Sequence, residues 1–200
     1  MQHLLRGRRS RLLVAALLSA AAIVLPLWGM TLVSTQYPEG LRLVVYPSYI
    51  RGDVSEINAL NHYIGMTPIS DDFFGELRLL PASLALIAVA CGAAAFVRHV
   101  WMDLLPLGLM TGLAGFGAWS MHHRLYQFGH DLDPTAPIRI TPFTPPMLGT
   151  NQIAQFATYA YFSWGTFLML AAGVFVVLVL VDDLRGSRPA PRLRVAPAPA

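Results

Sequence analysis

The sequence predicts an all-α integral membrane protein with four transmembrane helices and a small extracytoplasmic cap. Hydrophobic residues make up 55% of the 200-residue chain. Charged residues make up only 12%, against roughly 25% in an average soluble domain. Four uncharged stretches are long enough to cross ~30 Å of hydrocarbon as helices. This composition excludes a disordered chain, a coiled coil and an ordinary soluble enzyme.

The predicted spans divide the chain into nine segments. The spans are Leu12–Val33, Leu79–Val97, Leu104–Met121 and Tyr159–Val181. The other segments are a basic N-terminal tail at 1–11, outer segments at 34–78 and 122–158, an inner hairpin at 98–103 and a tail at 182–200. The first span is longer than the ~15-residue apolar core of a signal peptide, so we expect an uncleaved anchor. Asp103 is expected to cap the third helix, and the proline-rich last segment predicts a disordered cytoplasmic tail.

Arginine counting predicts the orientation. All 14 basic residues are arginine, and nine of them lie inside if both termini are cytoplasmic. Membrane proteins carry an excess of basic residues on the cytoplasmic side. We therefore expect a multi-pass protein of the bacterial inner membrane with both termini in the cytoplasm. The basic pI indicates this orientation rather than nucleic-acid binding.

The two outer segments predict a cap with one helix. Val54–Ile64 places apolar residues on one helical face, and Gly65 is expected to end that helix. Leu41–Tyr46 alternates as a short strand, and Ile138–Thr141 is a second candidate that could pair with it.

Histidine and methionine cluster in the outer part of the sequence. The candidate metal ligands are His62, His122, His123, His130, Met66 and Met121. Imidazole and thioether donors without cysteine suit copper. Zinc would accept the same histidines with Asp131 or Asp133. The alternative is that these histidines are ordinary hydrogen-bonding residues of turns and interfaces. The single cysteine, Cys91, excludes an intramolecular disulfide.

Several classes of membrane protein do not fit the sequence. The four spans lack the mid-membrane ionisable residues of transporters and proton pumps. A bis-histidine haem would need two histidines at one depth, and His99 and His122 fall at opposite ends of their helices. No catalytic constellation is recognisable, so no enzymatic activity is expected. Small residues, as in Gly108-x-x-x-Gly112, predict close helix packing inside the bundle, with a dimer seam as the alternative.

Three blocks carry a resemblance to a known family. They are the ten residues from Ile57 to Met66, the ten from Gly129 to Ile138, and the run from Pro145 to Gly149. Over residues 37–161 the chain resembles a family of small bacterial membrane proteins associated with gene clusters for nitrous oxide reductase and the maturation of its copper centres. The resemblance implies an accessory role and carries over no catalytic residues.

Three functional hypotheses follow. The first is an accessory membrane protein whose outer cap binds or delivers copper, or docks a periplasmic copper or redox protein. The second is a scaffold subunit of a membrane complex. The third is a quinone-linked electron-transfer partner with a site near Trp119, His122 and Tyr126. Convergence of the outer histidines would favour the first hypothesis, and dispersed histidines would favour the second.

Overall fold

A five-stranded antiparallel sheet adjoins one end of four packed helices. The computed structural model describes residues 2–70, 75–153 and 155–186. The helices are α1 (Gln2–Ala22), α2 (Val54–Ile64), α3 (Leu80–Phe96), α4 (Val100–His130) and α5 (Trp164–Gly186), with a 3₁₀ turn at Gly75–Leu79. The strands are β1 (Trp28–Val33), β2 (Leu41–Val45), β3 (Ile50–Gly52), β4 (Gly149–Ile153) and β5 (Phe156–Phe162). The predicted C-terminal tail lies outside the described residues from position 187 onward.

The sheet corrects the predicted fold class, because the all-α prediction is wrong. The strand order is β3-β2-β1-β5-β4, and all neighbouring strands are antiparallel. The predicted strand at Leu41–Tyr46 is present as β2, but its neighbours are β1 and β3. The predicted strand at Ile138–Thr141 is wrong, since that stretch is irregular and does not pair with β2.

Two predicted spans contain strands. The first, Leu12–Val33, is helical only to Ala22 and then becomes β1. Pro26 lies between the two elements, and proline cannot continue a helix. The last, Tyr159–Val181, begins inside β5, and α5 starts only at Trp164. Continuous apolar runs fit a buried strand as well as a helix, so hydropathy did not separate them.

Three helical stretches of the described chain are long and apolar enough to cross a membrane. They are Gly75–Phe96, Val100–His130 and Trp164–Arg185. The structure therefore supports three candidate spans where four were predicted. Helix α1 is not among them, and its first half carries the arginines 6, 8, 9 and 11. It nevertheless packs along α3 and α5, while α4 contacts the same two helices.

The molecule has two hydrophobic clusters. The helical cluster comprises Leu12, Ala15, Ile87, Cys91, Ala94, Ala95, Met110, Ala172, Val176 and Val179. The sheet cluster comprises Trp28, Met30, Leu41, Leu43, Ile57 and Ala160. Ile57 comes from α2, so this helix covers one face of the sheet. We call the sheet, α2 and their connecting segments the sheet module.

Helix α4 extends well beyond the predicted third span. Its 31 residues make it about 46 Å long, against the ~30 Å of a hydrocarbon core. The predicted end at Met121 lies nine residues before the observed end at His130. Met121 packs against the sheet cluster, so this last part of α4 supports the sheet module. The prediction that Asp103 caps this helix is wrong. His99 is the N-cap, and its Nδ1 accepts a hydrogen bond from the amide of Trp101 at 3.4 Å.

A buried ionic cluster joins the helices at the end remote from the sheet. The guanidinium of Arg8 contacts Asp103 of α4 at 2.6 Å and Asp183 of α5 at 3.0 Å. The same group donates to the carbonyl oxygens of Ala94 and Val97, at the end of α3. Arg8 is only 7% exposed and Asp103 only 1%. We call Arg8, Asp103 and Asp183 the Arg8 cluster.

Candidate functional site

The C-terminal end of α2 turns Met66 back toward the helix that carries His62. Gly65 adopts the left-handed conformation, with φ of 77°. The amide of Met66 donates to the carbonyl of Asn61 at 2.9 Å, and the amide of Gly65 points at the carbonyl of His62. This is the Schellman arrangement, which glycine adopts without steric cost. Its consequence is that His62 and Met66 line the same cleft.

The segment after α4 docks directly on this helix end. The amide of Asp133 donates to the carbonyl of Gly65 at 2.8 Å. The amide of Ile138 donates to the carbonyl of Tyr63 at 3.0 Å. A Cβ atom on Gly65 would lie 2.8 Å from both Ala136 Cβ and Asp133 O. Glycine is therefore needed here for its conformation and for the close approach of the second outer segment.

The side chain of Asn58 holds the opposite wall of the cleft. Its Nδ2 donates to the carbonyl of Ile69 at 2.9 Å, and its Oδ1 accepts the amide of Ile69 at 2.7 Å. The side-chain amide of Asn58 thus satisfies both the N–H and the C=O of Ile69, as a neighbouring strand would. It fixes the segment from Thr67 to Ile69 against α2. The sequence did not predict this role, although Asn58 lies one turn before His62 on α2.

These contacts form an open cleft in the sheet module. Its volume is about 470 Å³. Asn58, His62, Gly65, Met66, Thr67, Pro68, Asp131, Leu132 and Asp133 line it. The lining comes from both outer segments, as a shared site would require. It combines one imidazole, one thioether and two carboxylates, which are the donor types of copper and zinc sites.

The cleft carries fixed negative charge. The hydroxyl and amide of Thr135 donate to Asp133 Oδ1 at 2.6 and 2.8 Å. These hydrogen bonds, with a smaller contribution from the charge of His62, hold the pKa of Asp133 below its usual value. The carboxylate is therefore ionised at neutral pH. Among the described residues, the ring nitrogens of the exposed His62 have no hydrogen-bond partner.

The remaining predicted ligands lie on α4 and do not line the cleft. The ring of His130 stacks on the ring of Tyr126, with 3.8 Å between the two centroids. The Nδ1 of His130 lies at hydrogen-bond distance, 2.9 Å, from the backbone carbonyl oxygen of Tyr126. His123 is exposed, and its ring stacks on the ring of Trp119 with 5.7 Å between the two centroids. His122 is exposed on the neighbouring helix position. Met121 packs against the sheet cluster.

The structure thus brings together two of the six predicted ligands, with both predicted aspartates. Within residues 2–70, 75–153 and 155–186, no group of three or more His, Cys, Asp or Glu is close enough to hold one metal ion. A site made by the four outer histidines together is not formed in this part of the chain. His62 and Met66 remain as the candidate donors that share a cleft.

Comparison with known proteins leaves the class of protein to be argued from this geometry. No protein-family model matches the chain, and neither the curated proteins nor the solved structures include a significant match. The molecule is defined by long apolar helices and by the sheet module with its cleft. Asn58 and Gly65 shape that cleft, and the glycine was signalled by its place at the end of an amphipathic helix.

Proposed function

We propose that this chain is a membrane-anchored accessory protein that binds copper transiently in the cleft of its sheet module. One observation carries the proposal, namely that His62 and Met66 line the same cleft as Asp131 and Asp133. A thioether and an imidazole in one cleft favour Cu(I), because sulfur is a soft donor. The ionised carboxylates would attract the cation to the cleft.

The membrane anchoring in this proposal rests on the helices. Three stretches have the length and composition of spans. Large apolar side chains on these helices are exposed, with Val89 68% and Leu170 59% accessible, as a lipid-facing surface would require. We propose that α1 packs along these spans, with both termini in the cytoplasm. The contact of Arg8 with Asp183 supports this arrangement, because it brings the first part of α1 and the last part of α5 to one end of the helices.

Metal titration tests the proposal. The purified protein in lipid nanodiscs should bind about one equivalent of Cu(I) in preference to Zn(II). His62→Gln and Met66→Leu should each weaken binding by at least about tenfold. His123→Gln is the matched control, because that histidine lies on α4 outside the cleft, and it should bind like the wild type. Equal binding in all four proteins, or none in the wild type, would remove copper binding from the account.

A scaffold role is the second candidate function, and the dispersion of the outer histidines favours it. Glycines 108, 112 and 115 of α4 have no described atom within 4 Å of an added Cβ, so this face of the helix is open. Small residues permit close packing of helices in membranes. If the titration finds no copper, a subunit that packs this face of α4 against another membrane protein becomes the better account.

A further inference from the structure

The turn between β2 and β3 lies beside the start of α5. The amide of Leu27 donates to the carbonyl of Val45, the last residue of β2, at 2.8 Å. The carbonyl of Leu27 accepts the amide of Ser163 at 2.9 Å and the hydroxyl of Thr166 at 2.7 Å, where the chain enters α5. Neighbouring strands are about 4.8 Å apart, so the turn after Val45 lies about 10 Å to the side of this entry.

Two stacked tyrosines and one arginine form the surface of this turn. The amide of Tyr46 donates to the carbonyl of Tyr49 at 2.9 Å, and the two rings stack with 4.6 Å between their centroids. The guanidinium carbon of Arg51 lies 4.9 Å from the centroid of the Tyr49 ring. A guanidinium that lies over a ring keeps its N–H donors free at its own edge. We call Tyr46, Tyr49 and Arg51 the turn patch.

The guanidinium of Arg51 is exposed and available to an anion. Within the described ranges it makes no ion pair or hydrogen bond besides its contact with Tyr49. The strand register places Arg51 in one row with Val44, Gly29 and Tyr161. The ring of Tyr161 covers Gly29, where an added Cβ would lie 2.8 Å from the ring. This row therefore offers a cation and a phenol, and it contains no carboxylate.

The level of this row favours lipid headgroups over a soluble acidic partner. Tyr161 lies just before Trp164, the first residue of α5, whose side chain is 69% exposed. Tryptophan and tyrosine are enriched where membrane helices meet the headgroups. Helix α5 is one of the three candidate spans, so the bilayer surface passes close to this level. Basic side chains at that depth are attracted to anionic lipid headgroups.

From this geometry we infer that the turn patch binds the phosphate of an anionic phospholipid in the leaflet next to the sheet module. The inference rests on the membrane anchoring in the proposed function and is independent of copper. Arg51 donates its edge N–H groups to the phosphate oxygens, and the two tyrosines lie at the headgroup level. The contact holds one side of the sheet module against the bilayer.

Quenching of a fluorophore at the turn by spin-labelled lipids tests the inference. Ser48 is exposed between the two tyrosines, and Cys91 is buried, so a maleimide fluorophore on Ser48→Cys reports from the turn. The protein is placed in nanodiscs that contain phosphatidylglycerol or phosphatidylcholine with a nitroxide on the acyl chain. One arginine at an anionic surface corresponds to about a fivefold preference, so the anionic lipid should quench more strongly by about that factor.

Variants of two arginines on one sheet face separate a specific contact from general attraction. Arg51→Gln should bring the quenching ratio of the two lipids close to one, and Arg51→Lys should keep most of the preference because it keeps the charge. Arg42→Gln is the matched control. Arg42 pairs with Thr31 in the next row, about 7 Å farther along β2, and its loss should leave most of the preference.

A second label separates failure of this inference from failure of the anchoring. Val174 is 58% exposed in the middle of α5, and a label on Val174→Cys should be quenched by both lipids. Quenching there without quenching at Ser48→Cys would place the turn patch clear of the bilayer, favour an acidic protein as its partner and overturn the inference alone. No quenching at either position would overturn both.

Two further results would contradict the phosphate contact itself. Equal quenching of Ser48→Cys by the two lipids would mean that the turn meets the bilayer without selecting the anionic headgroup. A preference for the anionic lipid that survives in Arg51→Gln would assign that preference to another group.

Discussion

Gly65 determines whether the two outer segments can form one cleft. A side chain there would be strained by the positive φ and would collide with Asp133 and Ala136. Because non-glycine residues in the left-handed region cost about 1 kcal/mol or more, the helix end and the docked segment should both be disturbed. The two hydrogen bonds donated by the amides of Asp133 and Ile138 are the contacts most directly at risk.

We expect Gly65→Ala to speed amide hydrogen exchange at Asp133 and Ile138. The reason is that both amides bond to the end of α2, which the added methyl group would push away. Gly92→Ala is the control, since an added Cβ at that position meets no described atom within 4 Å. Unchanged exchange at both amides in Gly65→Ala would show that the close contact does not hold the segment.

For single residues, the sequence indicated which side chains are candidate ligands, but it did not indicate what those side chains contact. His62 and Met66 could be selected from their spacing and chemistry, and Gly65 from its position after an amphipathic helix. The separate environments of His123 and His130 could not be predicted. Stacking on Trp119 and Tyr126 depends on α4 continuing as a helix to residue 130, and no sequence signal near Met121 required that.

Among the elements, the packing of α1 depends on one buried arginine. Arg8 neutralises Asp103 and satisfies two carbonyl oxygens at the end of α3. Removing one partner from a buried ion pair leaves an uncompensated charge, which typically costs about 3–5 kcal/mol. Arg11 pairs with Asp182 at the same end, but both side chains are exposed, and such pairs contribute only about 0–1 kcal/mol.

We therefore predict that Arg8→Met lowers the melting temperature of the detergent-solubilised protein far more than Arg11→Met does. Adding Asp103→Leu to Arg8→Met should recover part of the loss, because the orphaned carboxylate is then gone. Equal melting temperatures for the two single variants would show that the Arg8 cluster does not stabilise the helices.

The strands show why the type and boundaries of the elements were harder to predict than the apolar character of the stretches that contain them. Both β1 and β5 lie in apolar stretches continuous with helices, and the pairing between them joins residues as distant in sequence as Trp28 and Phe162. The hydropathy pattern therefore predicted two helices that include these strands. Pro26 was the local signal that could have ended the first helix before Trp28. The amphipathic helix α2 was predicted correctly because its periodicity is local.

In the whole molecule, the two ends of the helices carry different features. The Arg8 cluster lies at one end, and the sheet module with its cleft lies at the other. Apolar surface between them is extensive on α3, α4 and α5. In our account the bilayer covers this surface, and the length of α4 carries the module clear of the hydrocarbon. The arginine distribution predicts that the end with the Arg8 cluster faces the cytoplasm, and this stays a prediction. The five-stranded sheet that forms the module was not predicted.

The most direct test of this account is cysteine accessibility in intact spheroplasts. Ser55→Cys places a thiol on the exposed surface of α2, and Ser10→Cys places one beside the Arg8 cluster. Cys91 is buried among the helices and should stay unlabelled in the wild type. A membrane-impermeant maleimide should label Ser55→Cys on intact spheroplasts and Ser10→Cys only after lysis. Labelling of Ser10→Cys from outside, or of neither variant before lysis, would contradict an outward-facing cleft on a membrane-spanning protein.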